Sequence, residues 1–268
     1  MSDAIDSGTT RRCGSGSVGR ETFGVLMAAS LVAAVISVPY VTELLEQRSG
    51  AREVLLGVLL FSQLFTYVVF SVPAVALGVW LGGKVGLGAP LLCAWRAGDS
   101  DGVRRARALL PGAAAIGAIL GVVMLGASLV GPRLFPELHA PITPPSPWAG
   151  FLGSVSAGIS EEIWMRLGLM TVLAWLGTRL LGTPQPTATI IWVANAAAAL
   201  AFGALHLPLA SALVPLTGVV VAWVIAANAL AGLVFGWLYW RRGLEAAMMA
   251  HFTTDVVLHT IAPAIGMG

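Results

Sequence analysis

Two pairs of ionisable side chains and one lone histidine stand inside apolar stretches of this chain, and their spacings suit chemistry. In "GISEEIWMRLGL", residues 158–169, Glu162 and Arg166 are one helical turn apart with the acid N-terminal to the base, the favourable order for a pair on one helix face. Such pairing makes burial of either charge tolerable. Glu161 lies about 100° further around the helix, so the same arginine serves it poorly. It is the carboxylate left over and a candidate general base. In "MAHFTTD", His251 and Asp255 are again one turn apart, so the aspartate can orient the imidazole or share a ligand with it. His206 stands alone in "AFGALHLP". Each element also has a purely structural reading: an internal ion pair, a polar clamp between helices and a satisfied core histidine. His259 is one turn beyond Asp255 and can join its face, whereas His139 sits in a Pro-rich loop and reads as a surface residue. Ser160 adjoins Glu161, but the G-x-S-x-G sequence of a serine nucleophile elbow is absent.

These residues belong to a membrane protein. Only 10% of the 268 residues are charged and 57% are apolar, with a mean hydropathy of +0.86, whereas a soluble domain carries about a quarter charged residues. Apolar runs over 22–42, 54–82, 109–131, 148–181, 188–207, 213–240 and 244–266 have the length of spans, and the alternating strands of a barrel are missing. The expected fold is therefore all-α, a polytopic membrane helix bundle of about seven to eight transmembrane helices in the lipid bilayer. The formal net charge of +2 reflects few charges rather than a basic patch, so nucleic acid is not an expected partner. Cys13 and Cys93 are too few for a disulfide framework.

Residues 1–21 read as a disordered polar tail, 22–147 as N-terminal transmembrane helices and 148–268 as the helix bundle that holds the ionisable groups. "PITPPSPW" and "GTPQP" are helix-breaking connectors. The apolar run 148–181 would make a helix of about 51 Å, which predicts a kink or a division into two. Basic residues gather at Arg11, Arg12 and Arg20, over 83–108, and at Arg241 and Arg242. By the positive-inside rule these lie in the cytoplasm. The N-terminus is then cytoplasmic and an odd number of spans puts the C-terminus outside. Lys84 is the sole lysine, a usage that points to a GC-rich bacterial gene and a plasma-membrane protein.

The order EExxxR, then FxxxH, then HxxxD, each on its own apolar helix, resembles the CPBP family of intramembrane proteases, which includes CAAX prenyl endopeptidases and bacteriocin-processing or immunity homologues. Glu161, Glu162 and Arg166 match the first motif, Phe202 and His206 the second, His251 and Asp255 the third. The likeness covers roughly 148–262. It implies an intramembrane endopeptidase acting on a peptide or lipidated peptide, with a water activated between Glu161 and His206. His251 and Asp255 would bind the oxyanion or fix the water, and Glu162 and Arg166 would position the site.

Family members are often called metalloproteases, and Glu161, His206 and His251 could supply a three-ligand zinc site with one open position. A metal-free glutamate mechanism is the other reading, and the H-E-x-x-H signature is absent. Intramembrane Glu, His and Asp also build proton relays, so a proton-coupled transporter is an alternative, as is a non-catalytic immunity or scaffold protein. Measured from the expected cytoplasmic ends, Glu161 and His206 lie about 27 Å deep but His251 only about 10 Å. Convergence therefore requires strong tilt or a recessed turn around residues 241–243.

Overall fold

The computed structural model describes residues 16–49, 56–139 and 143–267. Among them no strand occurs; the chain is an all-α polytopic bundle. In order, the helices are α1 (Gly16–Ile36), α2 (Val38–Ser49), α3 (Leu56–Val85), α4 (Pro90–Arg96), α5 (Ser100–Ala108), α6 (Leu110–Leu134), α7 (Pro147–Glu162), α8 (Thr171–Leu180), α9 (Ala188–Leu205), α10 (Leu207–Leu213), α11 (Gly218–Arg242), α12 (Leu244–Asp255) and α13 (Ala262–Ala264). Five passages, Gly16–Glu46, Leu56–Val85, Ser100–Leu134, Ala188–Ser211 and Gly218–Arg242, are long and apolar enough to cross a membrane. The other two passages, 147–180 and 244–264, hold the charged residues. Of the expected polar tail, residues 1–15 lie outside the described residues, and the rest forms the first turns of α1.

Local chemistry sets the boundaries. Ser146, Thr187 and Thr217 accept hydrogen bonds from the amides of Ala149, Ile190 and Val220, each at 3.3 Å, and so start α7, α9 and α11. Gly243, with φ of 91°, adopts a backbone disfavoured for other residues and separates α11 from α12. The long run ending at Leu180 is not divided by a turn. α7 passes into α8 through a π-helical segment, Ile163–Met170, and a second π-helical segment, Val256–Ile261, follows α12.

Helix α12 packs between α6 and α7, α9 packs on α11, and α1 lies against α3 and α7. With lipid outside, such contacts depend on close backbone approach and interhelical hydrogen bonds rather than on apolar burial alone. Tyr67 of α3 bonds Ser156 of α7 at 2.8 Å, Ser156 donates to the Ala33 carbonyl of α1 at 2.9 Å, and Trp164 donates to Ser71 at 2.8 Å. On the other side Thr254 donates to the Gly117 carbonyl at 2.9 Å, which binds α12 to α6.

The turn between α11 and α12 is recessed. The Leu244 amide donates to the Gly88 carbonyl at 2.9 Å, Glu245 accepts from the Leu92 amide at 2.8 Å, and Leu244 is fully buried beneath the segment around α4. This covering layer places His251 deeper than its distance from the turn suggests, and so reconciles it with Glu161 and His206.

A Cβ at Gly117 would overlap the Ala250 carbonyl and the Thr253 hydroxyl, whereas one at Gly126 meets nothing within 4 Å. Gly117→Ala is expected to cost about 1–3 kcal/mol by overpacking, while Gly126→Ala stabilises by up to about 1 kcal/mol through helix propensity. Thermal unfolding of both variants in detergent checks this; equal midpoints would contradict the α6–α12 contact.

Candidate active site

The last turn of α7 supplies Glu161 and Glu162, and the π-helical segment after it supplies Arg166. Phe202 and His206 come from the C-terminal end of α9, where Pro208 opens α10; His251 and Asp255 come from α12. All six ionisable residues meet within one layer. Glu161, His206, His251 and Asp255 line a single cavity of about 320 Å³.

Glu162 and Arg166 are the floor. Both side chains are inaccessible, with Arg166 Nε 3.3 Å from Glu162 Oε2. Arg166 Nη2 also donates to the Gly232 carbonyl at 3.2 Å, and the guanidinium lies over the rings of Phe202 and Phe235 at 5.1 and 5.7 Å. The Nε–Oε2 contact is an ion pair without hydrogen-bond alignment, since neither atom has a hydrogen-bond partner. The aromatic faces therefore supply part of the cation's environment. Glu162 has a second task that sequence spacing alone does not show: its Oε1 accepts from His251 Nδ1 at 2.8 Å. One carboxylate holds both the arginine and the histidine.

That bond orients His251. Its Nε2 lies 3.4 Å from Asp255 Oδ2 and 3.8 Å from Glu161 Oε2, and Phe235 stacks on its ring at 4.6 Å. A neutral imidazole has a single N–H. With carboxylates facing both nitrogens, the group needs one more proton, carried on Nε2, Asp255 or Glu161. His206 is fixed differently: its Nδ1 is 2.8 Å from the Phe202 carbonyl, which can only accept, so Nδ1 carries a proton, and in the neutral ring Nε2 is the acceptor. Phe202 thus holds the histidine one turn on through its carbonyl and through an edge contact of the rings at 4.7 Å.

Four further polar residues line the cavity: Tyr40, Asn228, Thr254 and His259. His259 follows from its place one turn beyond Asp255. Tyr40 and Asn228 belong to no spaced pattern of ionisable groups, so sequence gave no signal for them. Tyr40 meets His259 edge-on at 5.9 Å. His139 lies exposed in the connector after α6, away from this site.

The fold and the site together define a membrane helix bundle that buries a carboxylate–histidine centre at the depth of its helices. Residues 143–257 match the family model described as type II CAAX prenyl endopeptidase Rce1-like, which supports the CPBP family of intramembrane proteases for this segment. No curated protein and no solved structure matches the chain. The family match supports a CAAX-type intramembrane protease in general.

The zinc reading was tested against the donors themselves. Among the described residues no three His, Cys, Asp or Glu side chains are arranged to hold a metal ion. His251 Nε2 faces Asp255 at 3.4 Å and Glu161 at 3.8 Å. The set Glu161, His206 and His251 does not fit a three-ligand zinc site in this arrangement, and no step below is routed through a metal.

Glu162→Gln and Arg166→Gln should each destabilise by about 3–5 kcal/mol, because each leaves a buried charge unpaired. The double variant should lose less than the sum of the two. Thermal unfolding in detergent provides the comparison, and strictly additive losses would count against the pair.

Proposed function

We propose that the chain hydrolyses a peptide bond inside the membrane with a water activated between Glu161 and His206. The observation that carries this reading is the unequal access of the three carboxylates. Glu161 keeps 27% of its side chain open onto the cavity, Asp255 15% and Glu162 none. The open carboxylate has no arginine of its own. It stands beside an imidazole, His206, whose unprotonated Nε2 can accept a hydrogen bond from the same water.

The water proton passes to Glu161 as the water oxygen bonds to the scissile carbonyl carbon. Negative charge then develops on the carbonyl oxygen. His251, clamped through Nδ1 by Glu162, presents Nε2 to that oxygen, and Asp255 stands beside it. Preorganised donors of this kind stabilise an oxyanion without reorganising during the reaction. As the C–N bond breaks, Glu161 returns its proton to the leaving amine, and the two carboxyl- and amine-ended products separate. The Glu162–Arg166 pair takes no part in bond changes; it sets the position of His251.

The direct test is cleavage of a peptide library by purified protein in detergent. Glu161→Gln and Glu161→Ala should lower turnover at least about a hundredfold, the lower range for a general base, and wild-type turnover in both would refute the assignment. Asp255 gives a second, independent test. An amide can accept from His251 and can also donate to an oxyanion, which an aspartate does only when protonated. Asp255→Asn should therefore keep most of the activity. Asp255→Ala should lose on the order of a hundredfold, the scale of one oxyanion donor. Equal losses in the two variants would exclude the donor role.

A further inference from the structure

The two ends of the bundle differ in charge and in access. One end gathers Arg20, Lys84, Arg96, Arg179, Arg241 and Arg242 with the three arginines of α5. Contacts bring these segments together: Arg96 pairs with Glu21, the Leu244 amide bonds the Gly88 carbonyl, and Trp192 meets Trp240. Five of the cations lie over tryptophan rings, from Lys84 at 3.8 Å over Trp80 to Arg179 at 5.8 Å over Trp175. Tryptophan beside lysine or arginine at helix ends is the composition of a membrane interface, and the excess of basic residues marks the cytoplasmic one. The other end is built from α2, the end of α6, the start of α7 and the segments after His206 and Asp255. Ser146 there bonds Glu43 at 2.8 Å, and Tyr40 meets His259. Its basic residues among those described are Arg48 and Arg133.

The cavity belongs to the second end. Toward the basic end it is closed by a layer in which Glu162, Arg166, Leu238, Tyr239 and Leu244 are all at 0% exposure. Away from that layer its walls are Tyr40, Leu258, His259 and Leu209, the last 45% exposed. Helix lengths agree. Glu161 is separated from Arg179, and His206 from Ala188 at the basic end, by about 27 Å of helical rise.

We propose that the catalytic cavity opens to the extracytoplasmic side of the membrane. Its substrate is then a peptide segment already translocated across the membrane or anchored at its outer face, and not the C-terminus of a cytosolic protein. This assignment rests on the protease reading for the word substrate, but the direction of opening does not. A translocation step must precede cleavage, because the packed layer around Arg166 leaves no passage from the basic end.

Cysteine labelling in cells tests the direction without involving catalysis. In a chain carrying Cys13→Ser and Cys93→Ser, Leu209→Cys is placed at the mouth and Leu181→Cys, at a position 70% exposed, beyond the basic end of α8. A membrane-impermeant maleimide should label Leu209→Cys in intact cells and Leu181→Cys only after permeabilisation. The reverse pattern overturns the proposal. A reporter fused after Gly268 of the unaltered sequence gives the second measurement and decides the case in which Leu209→Cys stays unreactive. A phosphatase active only outside the cytoplasm should be active there, whereas a silent phosphatase with a fluorescent cytoplasmic reporter at the same point overturns the proposal. External labelling with no cleavage of any peptide would sink the protease reading and leave the sidedness standing.

Discussion

The structure depends on keeping one guanidinium, Arg166, in a membrane interior with no access to water. An ionic group at such depth costs several kcal/mol, and the bundle offsets this with Glu162 one turn away, the Gly232 carbonyl and the faces of Phe202 and Phe235. These partners come from three helices: Glu162 from α7, Phe202 from α9, and Gly232 and Phe235 from α11. α7, α9 and α11 must therefore be in place together before the arginine is satisfied. Because Glu162 also bonds His251, α12 is tied to the same point. The ionic group that makes the layer costly also specifies how four passages meet.

That constraint explains the two departures from regular helix. Each π-helical segment begins directly after an acidic residue of the site, Ile163–Met170 after Glu162 and Val256–Ile261 after Asp255. Such segments cluster at functional sites, where an added residue per turn changes the direction in which side chains point. Between Glu162 and Arg166 the widened turn keeps both side chains in one ion pair while the rest of the helix continues to Leu180. The Thr171 hydroxyl donates to the Arg166 carbonyl at 3.1 Å, so a backbone acceptor loosened by the widening is still satisfied. A long apolar run with charges near its middle is consequently one passage with a π-helical segment at its centre.

Residue spacing made the site legible where both partners lie on one helix. Glu162 with Arg166 and His251 with Asp255 were readable as turn-spaced pairs, and composition was enough for an all-α membrane bundle. What spacing could not give were contacts between helices: the bond from Glu162 to His251, and Tyr40 and Asn228 on the cavity wall. These arise from the packing of α2, α7, α11 and α12, which no local period encodes. Depth reckoned by helical rise met the same limit. It left His251 too shallow to converge with Glu161 and His206 unless the turn around residues 241–243 is recessed, and a local period does not show that α4 lies over that turn. In the fold α4 covers the α11–α12 turn, with Cys93 and Leu87 each at 1% exposure.

The shape of the cavity follows from side chains that are small as much as from those that are reactive. Along α7 the cavity face reads Gly153, Ala157 and Glu161, each one turn after the last. Two turns without bulk leave room in front of the carboxylate, and the Tyr40 ring packs against Gly153 at the outer edge of that room. About 320 Å³ lies at the lower limit for pockets that enclose small molecules, so a folded domain is excluded from the space beside Glu161. Under the protease reading, a substrate must arrive as a locally unfolded segment with its scissile carbonyl between α7 and α12. The width that admits such a segment is set by the absence of side chains at Gly153 and Ala157, and the charge that acts on it is held in place by Glu162 and Arg166 beneath.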